Sequence, residues 1–315
     1  MSNFIDFWET VPSAYRARIL IGGIAIFWII ESAVPLFRFK YHKIKHAGIN
    51  FFLTFTTIVI NFLFAGLLYF MANWVVEHDF GIIQWVNLPI WIELLIGLML
   101  LDLVGAYFIH WLEHQVKMMW QFHLIHHSDT TVDTTTANRH HPGESVFRAV
   151  FTTLAVFMVG APIWMVLLYQ SFSVVLSQFN HANIHLPELV NKVLSWVFVT
   201  PNMHHVHHHQ TQPLTDTNYG NIFSIWDRLF GTFAYVTDPQ TIVYGIDTYP
   251  DSRAFSYKWL IEDSVSKLSS VYHCPSKEYR VLEYQSSGGK LCNISLEIWS
   301  SFLEISTKVE VMSDK

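Results

Sequence analysis

The chain has 315 residues, of which 51% are hydrophobic and only 14% are charged, and its mean hydropathy is +0.29. A soluble domain usually carries about 25% charged residues, so this chain lacks the polar side chains that a fully water-exposed surface requires. The formal net charge of −6 is modest, and the sequence holds no basic stripe that would contact a phosphate backbone. The composition therefore favours a membrane protein and argues against a nucleic-acid partner.

Three apolar segments are long enough to cross about 30 Å of hydrocarbon. They cover residues about 17–37, 50–74 and 89–109. A fourth apolar stretch, residues about 146–179, is interrupted at Gly160, Ala161 and Pro162, which predicts a membrane hairpin with two short limbs. The sequence thus predicts an all-α integral membrane protein with about three transmembrane helices plus a membrane hairpin, and a cytosolic helical cap.

The charges of the links between spans predict how the chain is oriented. The link after the first span carries four basic residues, Arg38, Lys40, Lys43 and Lys45, whereas residues 75–87 carry no Lys or Arg. The positive-inside rule places the basic link in the cytoplasm, so the third span ends on that side and the hairpin returns to it. We therefore expect a cytoplasmic-membrane protein, of the kind found in bacteria, with its histidine-rich segments on the cytoplasmic face.

Eighteen histidines are present, and ten of them form four groups with helical spacing. The groups are His110 and His114; His123, His126 and His127; His181 and His185; and His204, His207 and His208. Side chains three or four residues apart share one helix face and can bind one metal ion together. Adjacent imidazoles point about 100° apart, so they can serve two different ions. Ten imidazoles exceed the needs of one ion, and they suit iron, zinc, copper or nickel.

The remaining histidines are interpreted differently. His78 and His273 are isolated, so a structural role is the better interpretation. His42 and His46 lie among lysines and aromatic residues, which favours contact with lipid head groups over metal binding. His205 and His209 stay open, because a histidine-rich tract can hold metal without catalysis.

Several boxes in this region occur in the order typical of one family. The segment HWLEHQVKMMWQFHLIHHSD, the element ANRHHPGE, and TPNMHHVHHH followed by NYGNIFSIWDRLFGTF resemble the fatty acid hydroxylase/sterol desaturase superfamily of integral-membrane di-iron enzymes. The likeness covers residues about 95–237. The closing segment contributes Asn218, Tyr219, Gly220, Trp226, Asp227, Arg228, Gly231 and Thr232.

The resemblance implies that the ten histidines bind two iron ions. His205 stands where relatives often have arginine and His209 where they often have serine, so neither is carried over. Residues expected to act behind the ligands, as hydrogen-bond partners or pocket residues, are Asp102, Glu113, Asp129, Arg139, His141 and Glu144. Trp111, Trp120 and Trp226 are candidates for an aromatic substrate entrance, although an interfacial aromatic belt is the more common explanation for such residues.

The resemblance is closest to the bacterial sterol-desaturase-like and alkylglycerol monooxygenase-like branch. It implies O2-dependent oxidation of a lipid C–H bond, by hydroxylation, desaturation or ether-cleaving hydroxylation. The sequence shows no dinucleotide fingerprint, haem domain or iron–sulfur cysteines, and its two cysteines, Cys274 and Cys292, form no Cys-x-x-Cys pair. We therefore expect a separate electron donor, with a reduced pterin as one candidate.

Two other functions compete with a lipid oxygenase. A zinc-dependent membrane hydrolase would need a general base beside its metal, and no His-Glu-x-x-His motif is present. A metal transporter or metal-binding membrane protein should place its ligands within the spans, whereas these histidines follow the span ends. The expected organisation is an N-terminal transmembrane region (1–94), a catalytic domain (95–237) and a cytosolic C-terminal tail (238–315) whose role the sequence does not show.

Overall fold

A computed structural model describes residues 2–246 and shows an all-helical architecture in that part of the chain. In chain order the α-helices are α1 (Ser2–Glu9), α2 (Ser13–Ala33), α3 (Lys43–Glu77), α4 (Ile90–Asp102), α5 (Ile109–Gln115), α6 (Lys117–His127), α7 (Pro142–Val159), α8 (Ile163–His181), α9 (Glu188–Leu194), α10 (Pro201–His207) and α11 (Ile225–Leu229). A π-helical segment, Leu103–Phe108, joins α4 to α5, and Thr134–Asn138 forms a 3₁₀ turn. The predicted fold class is confirmed.

Four helical stretches are long and apolar enough to cross a membrane. They are Ser13–Ala33, Lys43–Glu77, Ile90–Gln115 and Pro142–Val159. The first three correspond to the predicted spans, and the last is the first limb of the predicted hairpin. Helix α3 has 35 residues and is therefore about 52 Å long, so it projects well beyond about 30 Å of hydrocarbon. The projecting turns at its start are buried against the cap, which explains why it begins before residue 50.

The hairpin turns at the residues that the sequence indicated. Helix α7 ends at Val159 and is capped by Gly160 in the left-handed region, with φ of 77°. Pro162 then precedes α8. The turn packs on the link between α3 and α4, because Ile83 donates its backbone N–H to Val159 O (2.9 Å) and Gln84 donates Nε2–H to Gly160 O (2.8 Å). This end of the bundle lies opposite the histidines.

The cap at the other end combines segments from distant parts of the sequence. Leu36 and Phe37, which follow α2, pack with Val132, Val206, Ile242 and Tyr244. Residues 239–246 therefore contribute to the core of the cap, although the sequence assigned them to a separate tail. The same contact joins the expected N-terminal region to the expected catalytic domain. The remainder of the predicted tail, 247–315, lies outside the described residues.

Substituting Gly160 with alanine is expected to destabilise the protein. The residue has a positive φ, and an added Cβ would lie 2.6 Å from Phe80 O. Strain of this kind costs about 1–3 kcal/mol. Gly66→Ala is the matched control, because its added Cβ meets nothing within 4 Å. Thermal unfolding in detergent should show a lower midpoint for Gly160→Ala and an unchanged or slightly higher one for Gly66→Ala. Equal midpoints would remove the turn as a packing constraint.

Candidate metal centre

Nine histidines meet at one end of the bundle in two adjoining groups. The five-histidine group contains His110, His114, His123, His127 and His207, and the four-histidine group contains His126, His181, His204 and His208. Within each group the ring nitrogens that face one another all lie within 4.8 Å. The groups touch, since the ring centroids of His127 and His208 are 4.8 Å apart and those of His204 and His207 are 5.2 Å apart. Two metal-sized positions thus lie side by side.

Helical spacing explains how each helix supplies both groups. Helix α6 directs His123 and His127, four residues apart, to the five-histidine group and His126 to the other. Around the end of α10, His204 and His208 face the four-histidine group while His207 faces the five-histidine group. The structure therefore separates adjacent histidines in the way that the sequence predicted from the 100° step of a helix.

His185, the tenth predicted ligand, is not in either group. Helix α8 ends at His181, and Ala182 is extended with ψ of 134°. Four residues after His181, therefore, the chain no longer follows the helix face. His185 is exposed, and its backbone N–H donates to Val34 O at 2.9 Å.

The ring orientations are fixed by acceptors on the outer side of each group. His110 Nδ1 lies 2.8 Å from Tyr219 O, His181 Nδ1 lies 2.7 Å from Ser177 O, and His207 Nδ1 lies 2.7 Å from Thr217 O. A carbonyl oxygen only accepts, so each Nδ1 is the protonated donor and each Nε2 carries a lone pair. These lone pairs point toward the interior of the groups.

The inward nitrogens lie at spacings that suit shared metal coordination. His110 Nε2 and His123 Nε2 are 3.1 Å apart, and His181 Nε2 lies 3.0 Å from both His126 Nε2 and His204 Nε2. Two nitrogens bound at about 2.1 Å and at right angles to one ion lie about 3.0 Å apart. The observed spacing is therefore compatible with ligands to one ion, and it is also the length of a hydrogen bond between two imidazoles.

Burial keeps these imidazoles neutral. It lowers the pKa of His123 to about 3, and it lowers the pKa values of His126, His127, His204, His207 and His208 well below the ordinary value, with repulsion between neighbouring imidazoles adding to the effect. A neutral imidazole is the form that binds a metal ion. The group is thus ready to coordinate at neutral pH.

Unpartnered nitrogens test whether the residues fit a metal. Within residues 2–246, both ring nitrogens of His127 and of His208 are buried without a hydrogen-bond partner, as are His114 Nε2 and His207 Nε2. A buried polar atom without a partner is costly, and several of them side by side require a common explanation. A metal ion would supply the missing partner of one nitrogen in each of these rings, so the residues fit a metal centre.

Two carboxylates contact the five-histidine group from outside. Glu144 Oε1 lies 2.8 Å from His123 Nδ1, and Asp216 Oδ1 lies 3.1 Å from His114 Nδ1. Glu144 Oε1 also accepts from Arg148 Nε at 2.9 Å, and Arg148 Nη2 donates to Glu113 Oε2 at 2.5 Å. Glu113 itself is 3.6 Å from His123 Nδ1. Glu113 and Glu144, both expected behind the ligands, are therefore placed there.

Sequence analysis missed three residues of this arrangement, namely His140, Arg148 and Asp216. His140 Nδ1 lies 2.7 Å from Glu144 Oε1, and its ring stacks on His126 with centroids 5.0 Å apart. Glu144 and Arg148 lie four residues apart on α7, which was a usable signal for a shared helix face, whereas His140 lies two residues before that helix. Asp216 carried no such signal, because it lies in a 3₁₀ turn 102 residues after His114.

Asp102 differs from its expected role. Its carboxylate accepts from the backbone N–H groups of Ile222 (3.2 Å) and Phe223 (3.1 Å) and from Trp226 Nε1 (3.1 Å). Asp102 precedes His110 by eight residues, and in a continuous α-helix this spacing of about two turns would put the two side chains on much the same face. The intervening π-helical segment adds a residue to the turn and rotates that face. Asp102 therefore anchors the closing segment instead of a ligand.

The contacts described for Asp129 and Arg139 are with residues outside the two histidine groups. Asp129 Oδ2 is 2.8 Å from His46 Nε2, and Arg139 donates Nε–H to Ile125 O at 3.0 Å and Nη1–H to Asn50 Oδ1 at 2.8 Å. Burial alone would raise the pKa of Asp129, but the positive charge of His46 and its hydrogen bond hold that pKa well below its usual range. The head-group interpretation of His46 is wrong, since the side chain is buried; His42 is exposed.

His141, His205 and His209 have local structural contacts. His141 caps α7, with Nδ1 accepting from Gly143 N at 3.0 Å. His205 is buried, with Nε2 3.2 Å from His181 O and Nδ1 in contact with Tyr244 Oη. His209 Nδ1 accepts from Val243 N at 3.0 Å.

The three candidate entrance tryptophans differ in position. Trp120 lies beside the five-histidine group, with its ring centroid 4.8 Å from that of His114. Trp111 stacks on Phe108, with centroids 5.8 Å apart. Trp226 is buried and donates to Asp102. Trp120 is therefore the tryptophan that residues 2–246 place against a clustered histidine.

Together, the apolar helices and the two imidazole groups are those of a membrane-spanning helical protein whose histidine clusters could hold metal ions. Residues 94–232 match the fatty acid hydroxylase family, and all nine clustered histidines lie within them. This part of the chain is similar to the fatty acid hydroxylase family, as the sequence boxes predicted. No solved structure matches the chain.

Curated relatives are lipid-modifying oxygenases by name. They include an ornithine lipid hydroxylase from Rhizobium tropici (28% identical, covering 52% of this chain and 47% of the relative), alkylglycerol monooxygenase from Xenopus tropicalis (34%, covering 46% and 31%) and a cholesterol 25-hydroxylase-like protein from Danio rerio (29%, covering 44% and 49%). The chain thus matches less than half the length of each of these relatives. The first two agree with the branch that the sequence indicated.

Replacing Glu144 with glutamine should weaken metal binding. The negative charge of Glu144 orients His123 and makes its imidazole a stronger electron donor to a metal. The substitution removes that charge. Loss of such a partner typically lowers metal affinity about 10- to 100-fold. Glu188→Gln, at an exposed position at the start of α9, is the control. Dialysis against graded chelator followed by elemental analysis should show earlier metal loss from Glu144→Gln alone. Identical retention in both variants would show that Glu144 does not support the ligand.

Proposed function

We propose that this protein oxidises a C–H bond of a membrane lipid with O2, at a di-iron centre held by the two histidine groups. The observation that carries the proposal is the packing of nine buried, neutral imidazoles into two adjoining groups within a fatty acid hydroxylase segment. The proposed ligands are His110, His114, His123, His127 and His207 for one ion and His126, His181, His204 and His208 for the other. His185 is left out of the set.

When bound, iron would supply the activation of O2 that oxidation of an unactivated C–H bond requires. The overall change consumes O2, two electrons and two protons, and it gives an alcohol and water. Hydroxylation is the reaction that the relatives' names support best. Desaturation or ether-cleaving hydroxylation would begin at the same bond and need the same donor set.

The residues of this chain hold the site in one protonation state. Carbonyl acceptors fix the protonated nitrogen of His110, His181 and His207 on the outer side, so each ring presents its lone pair inward. Burial prevents protonation of the inward nitrogens, and packed rings limit the access of water. The residues therefore supply orientation and a dry environment.

The two groups differ in the charge around them. The five-histidine group is contacted by Glu144 and Asp216, whereas His181 in the four-histidine group is held by a carbonyl. Negative charge behind an imidazole makes it a stronger donor and stabilises a more oxidised metal. We propose that the ion in the five-histidine group is the more easily oxidised of the two.

The location of the site favours a lipid substrate that reaches it from the bilayer. His110 and His114 belong to Ile90–Gln115, one of the four candidate spans, so the centre lies where that span leaves the membrane. The basic link before α3 emerges at the same end, which supports a cytoplasmic site. We propose a separate electron donor, and the likeness to alkylglycerol monooxygenases makes a reduced pterin the first candidate.

His207→Ala and His185→Ala should separate the structural ligand set from the set that the sequence predicted. His207→Ala removes an inward nitrogen from the five-histidine group, so metal content and lipid oxidation should fall together, the latter at least 100-fold. His185→Ala changes an exposed ring and should retain both. Elemental analysis and product detection by mass spectrometry provide the measurements. Full metal content in His207→Ala, or its loss in His185→Ala, would overturn the assignment.

Oxygen uptake distinguishes this function from its competitors. Given reductant and mixed membrane lipids, the oxygenase should consume O2 in proportion to oxidised lipid. A zinc hydrolase or a metal transporter should consume none, and an absence of lipid-dependent uptake with both irons present would refute the proposal.

A further inference from the structure

Helix α9 exposes apolar side chains that a helix facing water would bury. Its residue Asn191 is buried and accepts from Thr200 Oγ1 at 2.7 Å, whereas the charged residues Glu188 and Lys192 are exposed. Its apolar side chains also point outward, with Leu189 73% and Val193 61% exposed. A surface helix normally buries its apolar stripe and exposes its polar one. The exposed side of α9 is therefore built for a non-aqueous neighbour.

The residues after α9 and those of α11 extend this apolar surface. Trp196 is 64% exposed, Val197 follows it, and Leu229 on α11 is 64% exposed. We call this surface the α9–α11 face; it comprises Leu189, Val190, Val193, Trp196, Val197 and Leu229. An isolated exposed apolar residue needs no explanation, but a group of six on two neighbouring helices and the residues after α9 does.

The two elements form one unit. Val199 donates its N–H to Ile222 O (3.0 Å), and Ser224 donates its N–H to Val197 O (3.1 Å). Arg228 Nη2 donates to Ser195 O at 2.9 Å, and the Arg228 guanidinium lies 4.4 Å from the Trp196 ring centroid. The cation is thus held by a carbonyl and an aromatic ring, which lowers the cost of an apolar environment.

The same unit is fixed to a membrane-spanning helix. Ile222 and Phe223 donate their N–H groups to Asp102, at 3.2 and 3.1 Å. Asp102 lies twelve residues after Ile90 in the 26-residue candidate span Ile90–Gln115, so it is about 18 Å along that span. A unit attached at this depth lies beside the bilayer, and its exposed face continues the lipid-facing surface of the spans.

We propose that the α9–α11 face is embedded in the acyl-chain region of the membrane that the spans cross. Neither α9 nor α11 is one of the four candidate spans, so the contact is a one-sided insertion from the end of the bundle that carries the histidines. Lipid is the occupant because the face continues a spanning helix. A second copy of the chain is the competing occupant. The inference does not depend on which metal or reaction the histidines support.

Site-directed spin labelling of the full chain in lipid nanodiscs tests the proposal. Cys274 and Cys292 are first replaced by serine, and single cysteines are then introduced by Val193→Cys and Leu229→Cys. Phe62→Cys, at an exposed position within the span formed by α3, is the lipid reference; Thr211→Cys, at an exposed position after α10, is the water reference. Nanodiscs of phosphatidylcholine and phosphatidylglycerol provide the bilayer. Power saturation then compares accessibility to O2 with accessibility to a water-soluble nickel chelate.

Labels at positions 193 and 229 should resemble the Phe62→Cys reference, with high O2 and low nickel accessibility. Values that resemble the Thr211→Cys reference would show that the face contacts water and would overturn the proposal. Low accessibility to both reagents, with dipolar broadening between labels on separate copies, would also overturn it and assign the face to a dimer interface. Metal content plays no part in the readout, so failure of the proposed function would leave this result unchanged.

Discussion

The structure depends on the burial of nine imidazoles in contact with one another. An imidazole has two nitrogens, and in a dry interior each of them needs a partner. In several rings, the outward nitrogen is hydrogen-bonded to a backbone carbonyl or a carboxylate. The other nitrogen of each of these rings faces inward. The inward nitrogens are too close together to be protonated at once. Coordination is the arrangement that satisfies all of them simultaneously.

The membrane helices make this burial feasible by bringing distant segments to one end of the bundle. Helix α3 extends past the bilayer so that His46 reaches Asp129, and Asp102 ties α4 to the closing segment 120 residues later. Arg148 joins Glu113 on α5 to Glu144 on α7. Each of these buried groups is ion-paired or hydrogen-bonded, and each contact connects a spanning helix to a segment next to the histidines. The polar contacts therefore set the position of the cap on the bundle, while apolar packing holds the bundle itself.

The sequence predicted the features that depend on local periodicity. The spans follow from apolar length, the hairpin turn follows from Gly160 and Pro162, and the division of His126 and His127 between two groups follows from the 100° helical step. The family boxes then identified Glu144, which the structure places beside His123. These signals lie within a few residues of the feature that they predict, so the sequence contains them directly.

The features that the sequence did not predict depend on where helices end or on contacts between distant segments. His185 is excluded because α8 ends at His181, and Asp102 turns away because a π-helical segment precedes His110. His46 looked like a head-group residue because its buried partner lies 83 residues away. The exposed apolar side chains of α9 could not be predicted from its sequence, because the whole fold decides which side of the helix faces inward.

The most direct test of the central claim is the metal stoichiometry of the full chain. Protein purified in detergent from cells grown with iron in excess and zinc limited should contain close to two irons per chain, because two complete imidazole groups are present. A single ion per chain, zinc in place of iron under these conditions, or metal that washes off without chelator would contradict the account.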